Sequence, residues 1–204
     1  MKKICILDYG LGNIKSLYNS LCKIGYKPTF ASENKKKNYD IIFIPGVGSF
    51  SNGSKLIRKK YYNILSQSYK KGVSVFGICL GMQLLLTEGE ENGINKGLNF
   101  IGGKVTKLTK KKGIKLPIVG WGKVNFSKKN EYSFLSKYQN NKFYFIHSYV
   151  ANLKNKNNQL ASSSYSGISY TSAVIKNNCI GTQFHPEKSG EVGLEFLKDW
   201  IKRL

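Results

Sequence analysis

The chain has 204 residues, enough for one domain with a full core, and 41% hydrophobic and 13% aromatic content suits a folded globular protein. No apolar run reaches the roughly 18 residues that a membrane-crossing helix needs, and the start, "MKKICILDYG", meets Asp8 too soon for a signal peptide, so a cytoplasmic location is expected. Lys+Arg number 33 against 11 Asp+Glu, a net charge of +22, but the lysines fall in short dispersed clusters ("NKKKNY", "IRKKYY", "LTKKKG", "FSKKNE"), which reads as solvated surface, with neither a nucleic-acid nor a membrane partner.

In chain order, "KKICILDY" is a continuous apolar run that suits a strand buried on both faces. "NIKSLYNSLCKIG" follows with Ile14, Leu17, Leu21 and Ile24 at helical spacing, Asn13 as cap and Gly25 as stop. "KPTFAS" and "YDIIFIPGVGSF" read as the next two strands, the second running into a Gly-Pro loop. "GSKLIRKKYYNILSQSYKKG" reads as a helix, "VSVFGI" as a strand and "LGMQLLLTEG" as a further helix. This β-α-β alternation signals a parallel sheet covered by helices.

Beyond residue 88 the period changes. "GGKVTKL", "GKVNF", "KFYFIHSYV", "QLASSSY", "ISYTSAVIK" and "CIGTQF" are strand-like and separated by turn residues, and "SGEVGLEFLKDWIKRL" is an amphipathic helix with Val192, Phe196 and Trp200 on its apolar side. No linker or repeat divides the chain. The expectation is a single three-layer α/β domain, residues 1–204, around a mixed, mostly parallel central sheet.

The four cysteines, Cys5, Cys22, Cys79 and Cys179, form no C-x-x-C pair and there are only two histidines, so no metal site is expected. Cys5, Cys22 and Cys179 sit in apolar settings and read as small buried hydrophobes. Cys79 differs. "GICLG", residues 77–81, has the G-x-Nuc-x-G form of a nucleophile elbow, between a buried strand and a helix. Side chains two before and two after the nucleophile would crowd it, and Gly77 and Gly81 remove them. The helix N-terminus favours a thiolate, and the N–H of Leu80 is placed to bind an oxyanion.

A nucleophilic cysteine needs a base. His147, in "YFIHSYV", suits a structural hydrogen-bonding role at least as well as catalysis. His185, in "TQFHPEKS", has Pro186 after it and Glu187 two positions on, a carboxylate able to orient the imidazole. "IPGVGSF", with Gly46 and Gly48, can supply a second oxyanion donor from the loop before the nucleophile strand.

"PGVGSF", "GICLGMQ" and "TQFHPEKS" together resemble class I glutamine amidotransferases. "LDYGLGNIKSL" and "FYFIHSY" narrow the resemblance, over nearly the whole chain, to the glutaminase subunits of imidazole glycerol phosphate synthase, the HisH type. The resemblance implies that Cys79 attacks the amide of glutamine, that His185 moves protons with help from Glu187, and that no cofactor takes part. It implies oxyanion donors at Leu80 and in the Val47–Gly48 loop, which rearranges in this family when the partner is liganded. Gln83, Gly48 and the Ser148–Tyr149 backbone would hold substrate glutamine. The partner would be a (β/α)8-barrel cyclase subunit, HisF-like, in a heterodimer that turns PRFAR into imidazole glycerol phosphate and AICAR. Lys188 would face an acidic residue of the barrel, and Trp121 and Tyr144 an aromatic gate.

One stretch departs from the family. Where P-H-x-G-W-N is usual, "LPIVGWGKV" has Ile118 for the histidine and Gly122 for the asparagine. Paralogues of these subunits serve sugar-modifying amidotransferases in surface-polysaccharide pathways, and the departure keeps that acceptor as an alternative.

Overall fold

The structure, a computed structural model, describes residues 1–31, 38–108, 114–127 and 130–204. The lysines at 35–37, 110–112 and 128–129 lie outside the described residues. The chain opens with β1 (Ile4–Ile6), α1 (Ile14–Lys23), β2 (Thr29–Phe30), β3 (Ile41–Gly46), α2 (Phe50–Lys70), β4 (Ser74–Cys79) and α3 (Leu80–Leu84). It continues with β5 (Leu86–Gly89), β6 (Asn95–Lys96), β7 (Ile101–Lys107), β8 (Ile118–Lys123), β9 (Asn125–Phe126), β10 (Lys142–His147) and β11 (Tyr149–Leu153). It closes with β12 (Gln159–Tyr165), β13 (Ile168–Lys176), β14 (Cys179–Thr182) and α4 (Gly190–Arg203).

The main sheet runs β2-β1-β3-β4-β14-β13-β11-β7-β5-β6, with β12 on β13 and β9 on β12. It is a mixed sheet. From β2 to β14 every pairing is parallel, and beyond β14 the path continues through antiparallel pairings, apart from the parallel pair β7–β5. Side chains along the parallel strands alternate between two cores. Ile4, Ile6, Ile41, Phe43, Phe76 and Ile78 pack with Leu17, Leu21, Phe196 and Trp200 of α1 and α4. Cys5, Leu7, Ile42, Ile44 and Val75 pack with Ile57, Leu65 and Leu80 of α2 and α3. The continuous apolar runs are thus strands buried on both faces between two helical layers.

Five details differ from the sequence expectation. The elbow helix ends at Leu84, and Leu86–Gly89 is a strand parallel to β7. Leu84, Leu85 and Leu86 are all fully buried, so the run carries no period to separate helix from strand. The pairing of Leu86, Glu88 and Gly89 with β7 makes the segment a strand, and Gly89 is packed so closely that a Cβ there would lie 2.6 Å from the Phe50 ring. "KFYFIHSYV" is two strands in different sheets. β10 pairs antiparallel with β8 in a separate two-stranded sheet, while β11 joins the main one.

"GKVNF" likewise divides, between β8 and β9. Cys22 is exposed, because helix α1 turns Leu17, Ser20 and Leu21 inward and Cys22 away. The second helix also starts earlier than Gly53. Ser49 caps it through Asn52 N, and the Phe50 N–H donates to the Glu91 carboxylate at 2.7 Å.

Trp200 joins the closing helix to the rest. Its ring packs against Phe76, Tyr132, Phe134 and Phe196. Trp200→Ala is expected to cost about 3–5 kcal/mol of stability, read as a lowered urea midpoint. A change under about 1 kcal/mol would mean that α4 contributes little to the core.

Candidate active site

β4 ends at Cys79, whose backbone sits at φ 53°, ψ −108°. A Cβ on Gly77 would lie 2.6 Å from the carbonyl of Gly81, and one on Gly81 would strike the carbonyl oxygen of Ile44. Both elbow glycines are therefore required by space, as the pattern implied. A Cβ on Gly46 would collide with the Tyr9 hydroxyl, so the loop glycine and the elbow share one packed corner.

Register delivers the remaining parts. Gly46 pairs with Cys79 across β3 and β4, so the Val47–Gly48 loop leaves the sheet beside the sulfur. Gly48 has φ +126°, a glycine conformation. Val47 is partly exposed. Among the described residues, neither the Val47 nor the Gly48 N–H is spent on a hydrogen bond. Leu80 is the first residue of α3, so its N–H has no partner within the helix.

On the other side of β4, Thr182 pairs with Ile78, and the chain then runs on to His185. The His185 N–H donates to Tyr144 O at 2.8 Å. Ser189 Oγ donates to His185 O at 2.6 Å and accepts the Tyr144 N–H at 3.0 Å. Pro186 opens a 3-10 turn, Pro186–Lys188, that carries Glu187 back to the ring. Glu187 Oε1 lies 2.7 Å from His185 Nδ1, with both side chains at most 3% exposed.

The two histidines titrate in opposite directions. Burial acts to lower the His185 pKa. The charge and hydrogen bonding of Cys79, then of Glu187, overcome it and raise the imidazole to about 10. Nε2 makes no hydrogen bond of strict geometry, yet Cys79 is close enough to be the leading influence in that rise. His147 is lowered to about 4, chiefly by burial, against the raising effect of its bond to the Tyr149 carbonyl at 3.0 Å. It is a neutral imidazole at neutral pH, held by a backbone carbonyl and with no carboxylate bonded to it, unlike His185.

Gln83 is buried under the site and donates from Nε2 to Tyr149 O and to Gln183 Oε1, each at 3.0 Å. Gln183, which the sequence reading passed over inside "TQFHPEKS", reaches Cys79 Sγ through its Nε2 at 3.6 Å. Nothing in a lone glutamine signals such a contact; only the sheet register brings it there. The carbonyls of Ser148 and Tyr149 are already used, the first by the Leu108 N–H at 3.0 Å.

Around the rim, the Trp121 and Tyr144 rings meet edge-on at 6.2 Å, and Lys188 Nζ lies 5.9 Å from the Tyr144 centroid. Val119 and Trp121 are exposed beside them, at 57% and 56%. The two family departures sit just beneath. Ile118 is buried opposite His147, and a Cβ on Gly122 would come within 3.1 Å of the Phe145 ring. Among the described residues no cluster of three or more His, Cys, Asp or Glu could hold a metal ion.

Comparison with known proteins agrees with this geometry. The family described as Glutamine amidotransferase class-I matches residues 5–204. The chain is 42% identical over 203 residues to the imidazole glycerol phosphate synthase subunit HisH of Sulfolobus acidocaldarius, covering 97% of the chain and 98% of that protein. It is 38% identical over 206 residues to the HisH subunit of Bacillus subtilis, covering 98% and 95%. A solved structure of PurLQS from Thermotoga maritima matches with a TM-score of 0.77 at 18% identity over 100% of each chain, a likeness of fold. The elbow, the histidine–glutamate pair behind it and this near full-length similarity lead to one assignment: the chain belongs to the class-I glutamine amidotransferases, in the family of HisH subunits of imidazole glycerol phosphate synthase.

Proposed function

We propose that the chain, as one amidotransferase domain over residues 1–204, is the glutaminase subunit of an imidazole glycerol phosphate synthase and passes ammonia to a cyclase partner for histidine biosynthesis. The observation that carries this reading is the buried Cys79–His185–Glu187 constellation at the end of β4. In the proposed reaction, Cys79 Sγ attacks the carboxamide carbon of glutamine. The oxyanion is held by the Leu80 N–H and by an N–H of the Val47–Gly48 loop. His185, charged and oriented by Glu187, gives its proton to the leaving nitrogen, and ammonia departs. It then takes a proton from water, which attacks the thioester and releases glutamate. Gln83, Gly48 and the Ser148–Tyr149 segment line the proposed glutamine site.

The proposed partner is a (β/α)8-barrel cyclase of the HisF type, docking on the exposed Val119 and Trp121 and the half-buried Tyr144 and Lys188 beside them. Delivery to PRFAR rather than to a sugar is favoured by the cited relatives, which are HisH subunits over nearly their full length. The departures at Ile118 and Gly122 are absorbed locally by the packing of His147 and Phe145, so they give the sugar acceptor no independent support.

Cys79→Ala is expected to lower glutamate release by a factor of about 1,000 or more. Persisting turnover would remove Cys79 as nucleophile. Glutamate release in wild type should rise when barrel subunit and PRFAR are present together; indifference to both would point to another acceptor. Lys188→Ala and Trp121→Ala should weaken the complex in an equilibrium binding assay, and unchanged affinity in both would move the interface elsewhere.

The His185 charge gives a further test. Its folded pKa is raised from 6.5 to about 10, so its stabilising contribution is complete below 6.5 and is lost as pH rises through about 10. With only two histidines in the chain, NMR titration can follow each. In Cys79→Ala the high midpoint should fall, because the leading raising influence is gone, while the low midpoint of His147 stays. An unmoved high midpoint would show that Glu187 alone sustains it.

A further inference from the structure

His147 and Gln183 are buried, hydrogen-bonded into the site, and unused by the chemistry above. Their bonds form one continuous chain. His147 Nδ1 and Gln83 Nε2 both lie 3.0 Å from the Tyr149 carbonyl oxygen. Gln83 Nε2 also lies 3.0 Å from Gln183 Oε1, and Gln183 Nε2 lies 3.6 Å from Cys79 Sγ.

The direction of every bond follows from the backbone end. A carbonyl oxygen only accepts, so His147 Nδ1 must carry its proton and Gln83 must turn its NH2 toward Tyr149. The second hydrogen of that NH2 goes to Gln183 Oε1. Gln183 is then left with its own NH2 facing the sulfur. His147 is neutral in its burial and has a single N–H to give, which fixes the tautomer.

The sulfur has different needs in its two states. As a thiol it can donate to Ile146 O, 3.6 Å away. As a thiolate it cannot donate, meets that carbonyl as a repulsive neighbour, and is held only by donors. We propose that Gln183 is a second donor to the Cys79 thiolate, beside His185, with its amide polarity set by the Tyr149 carbonyl through Gln83. This inference rests on reading Cys79 as the nucleophile. The titratable groups around the sulfur are His185 with Glu187 behind it and, from the segment after β1, Tyr9. Gln183 is the uncharged member of the set, so its removal alters hydrogen bonding without altering charge.

The test is the pH profile of Cys79 alkylation by iodoacetamide, read by peptide mass spectrometry on the full chain. A Cys22→Ser background removes the exposed competing thiol. Gln183→Leu should move the midpoint up by about one pH unit or more, an alkylation rate about tenfold lower near neutral pH. Gln183→Glu keeps the shape and the acceptor toward Gln83 but puts a carboxylate at the sulfur, and should shift the midpoint at least as far.

A midpoint unmoved in both variants overturns the proposal, even if melting temperature or turnover falls, since those losses would mark Gln183 as structural. Failure of the nucleophile reading is separable. It would appear as glutaminase activity surviving Cys79→Ala, whereas the alkylation midpoint reports on the sulfur whatever its use.

Discussion

The site depends on holding one non-glycine residue in a conformation that side chains rarely adopt. Cys79 at φ 53°, ψ −108° costs on the order of 1–3 kcal/mol. Packing over-determines the turn. β4 is clamped between β3 and β14 by parallel pairing on both edges, and every residue from Ser74 to Cys79 is buried. The crossing of α3 over β3 is so close that Gly81 sits against the Ile44 carbonyl. Relaxing the cysteine would require moving two strands and a helix together. The strain persists because the core, whose burial is the main stabilising term, leaves no room for its release.

The same clamp arranges the electrostatics. The strand on one edge ends in the loop with free N–H groups; the strand on the other ends in the histidine and its carboxylate. In the proposed reaction, negative charge formed at the sulfur or on the carboxamide oxygen would thus be met from both sides. The two histidines show how burial alone does not decide protonation. Both rings are enclosed, yet His185, with a carboxylate at 2.7 Å and the Cys79 sulfur nearby, is raised, while His147, with only a carbonyl, is lowered.

Much of this was legible in the sequence, because it is carried by local chemistry. "GICLG" states an elbow through its glycines, "HPE" places a carboxylate one tight turn from an imidazole, and the two-sided apolar runs state a parallel sheet. What was not legible depends on register and packing. The leucine run after the elbow has no period, so its switch from α3 to β5 shows only in the pairing with β7. The break at Ser148, which sends β10 and β11 into different sheets, lies inside an unbroken aromatic and apolar segment. Gln183 and Tyr9 carry no motif of their own; three strands must be aligned before either meets the elbow.

That alignment also joins the site to its rim. His185 is bridged to Tyr144 through its backbone N–H, and Ser189 ties the same two residues from the other side. Tyr144 in turn contacts Trp121 and Lys188 at the surface. Any body that packs on those rings therefore bears on the strand pairing that holds the imidazole, with no flexible segment between. Buried hydrogen bonds transmit such a load as small displacements, and a proton transfer over a short distance is sensitive to displacements of that size. If the proposed partner docks on this face, Tyr144 and Ser189 are the packed residues that stand between it and His185.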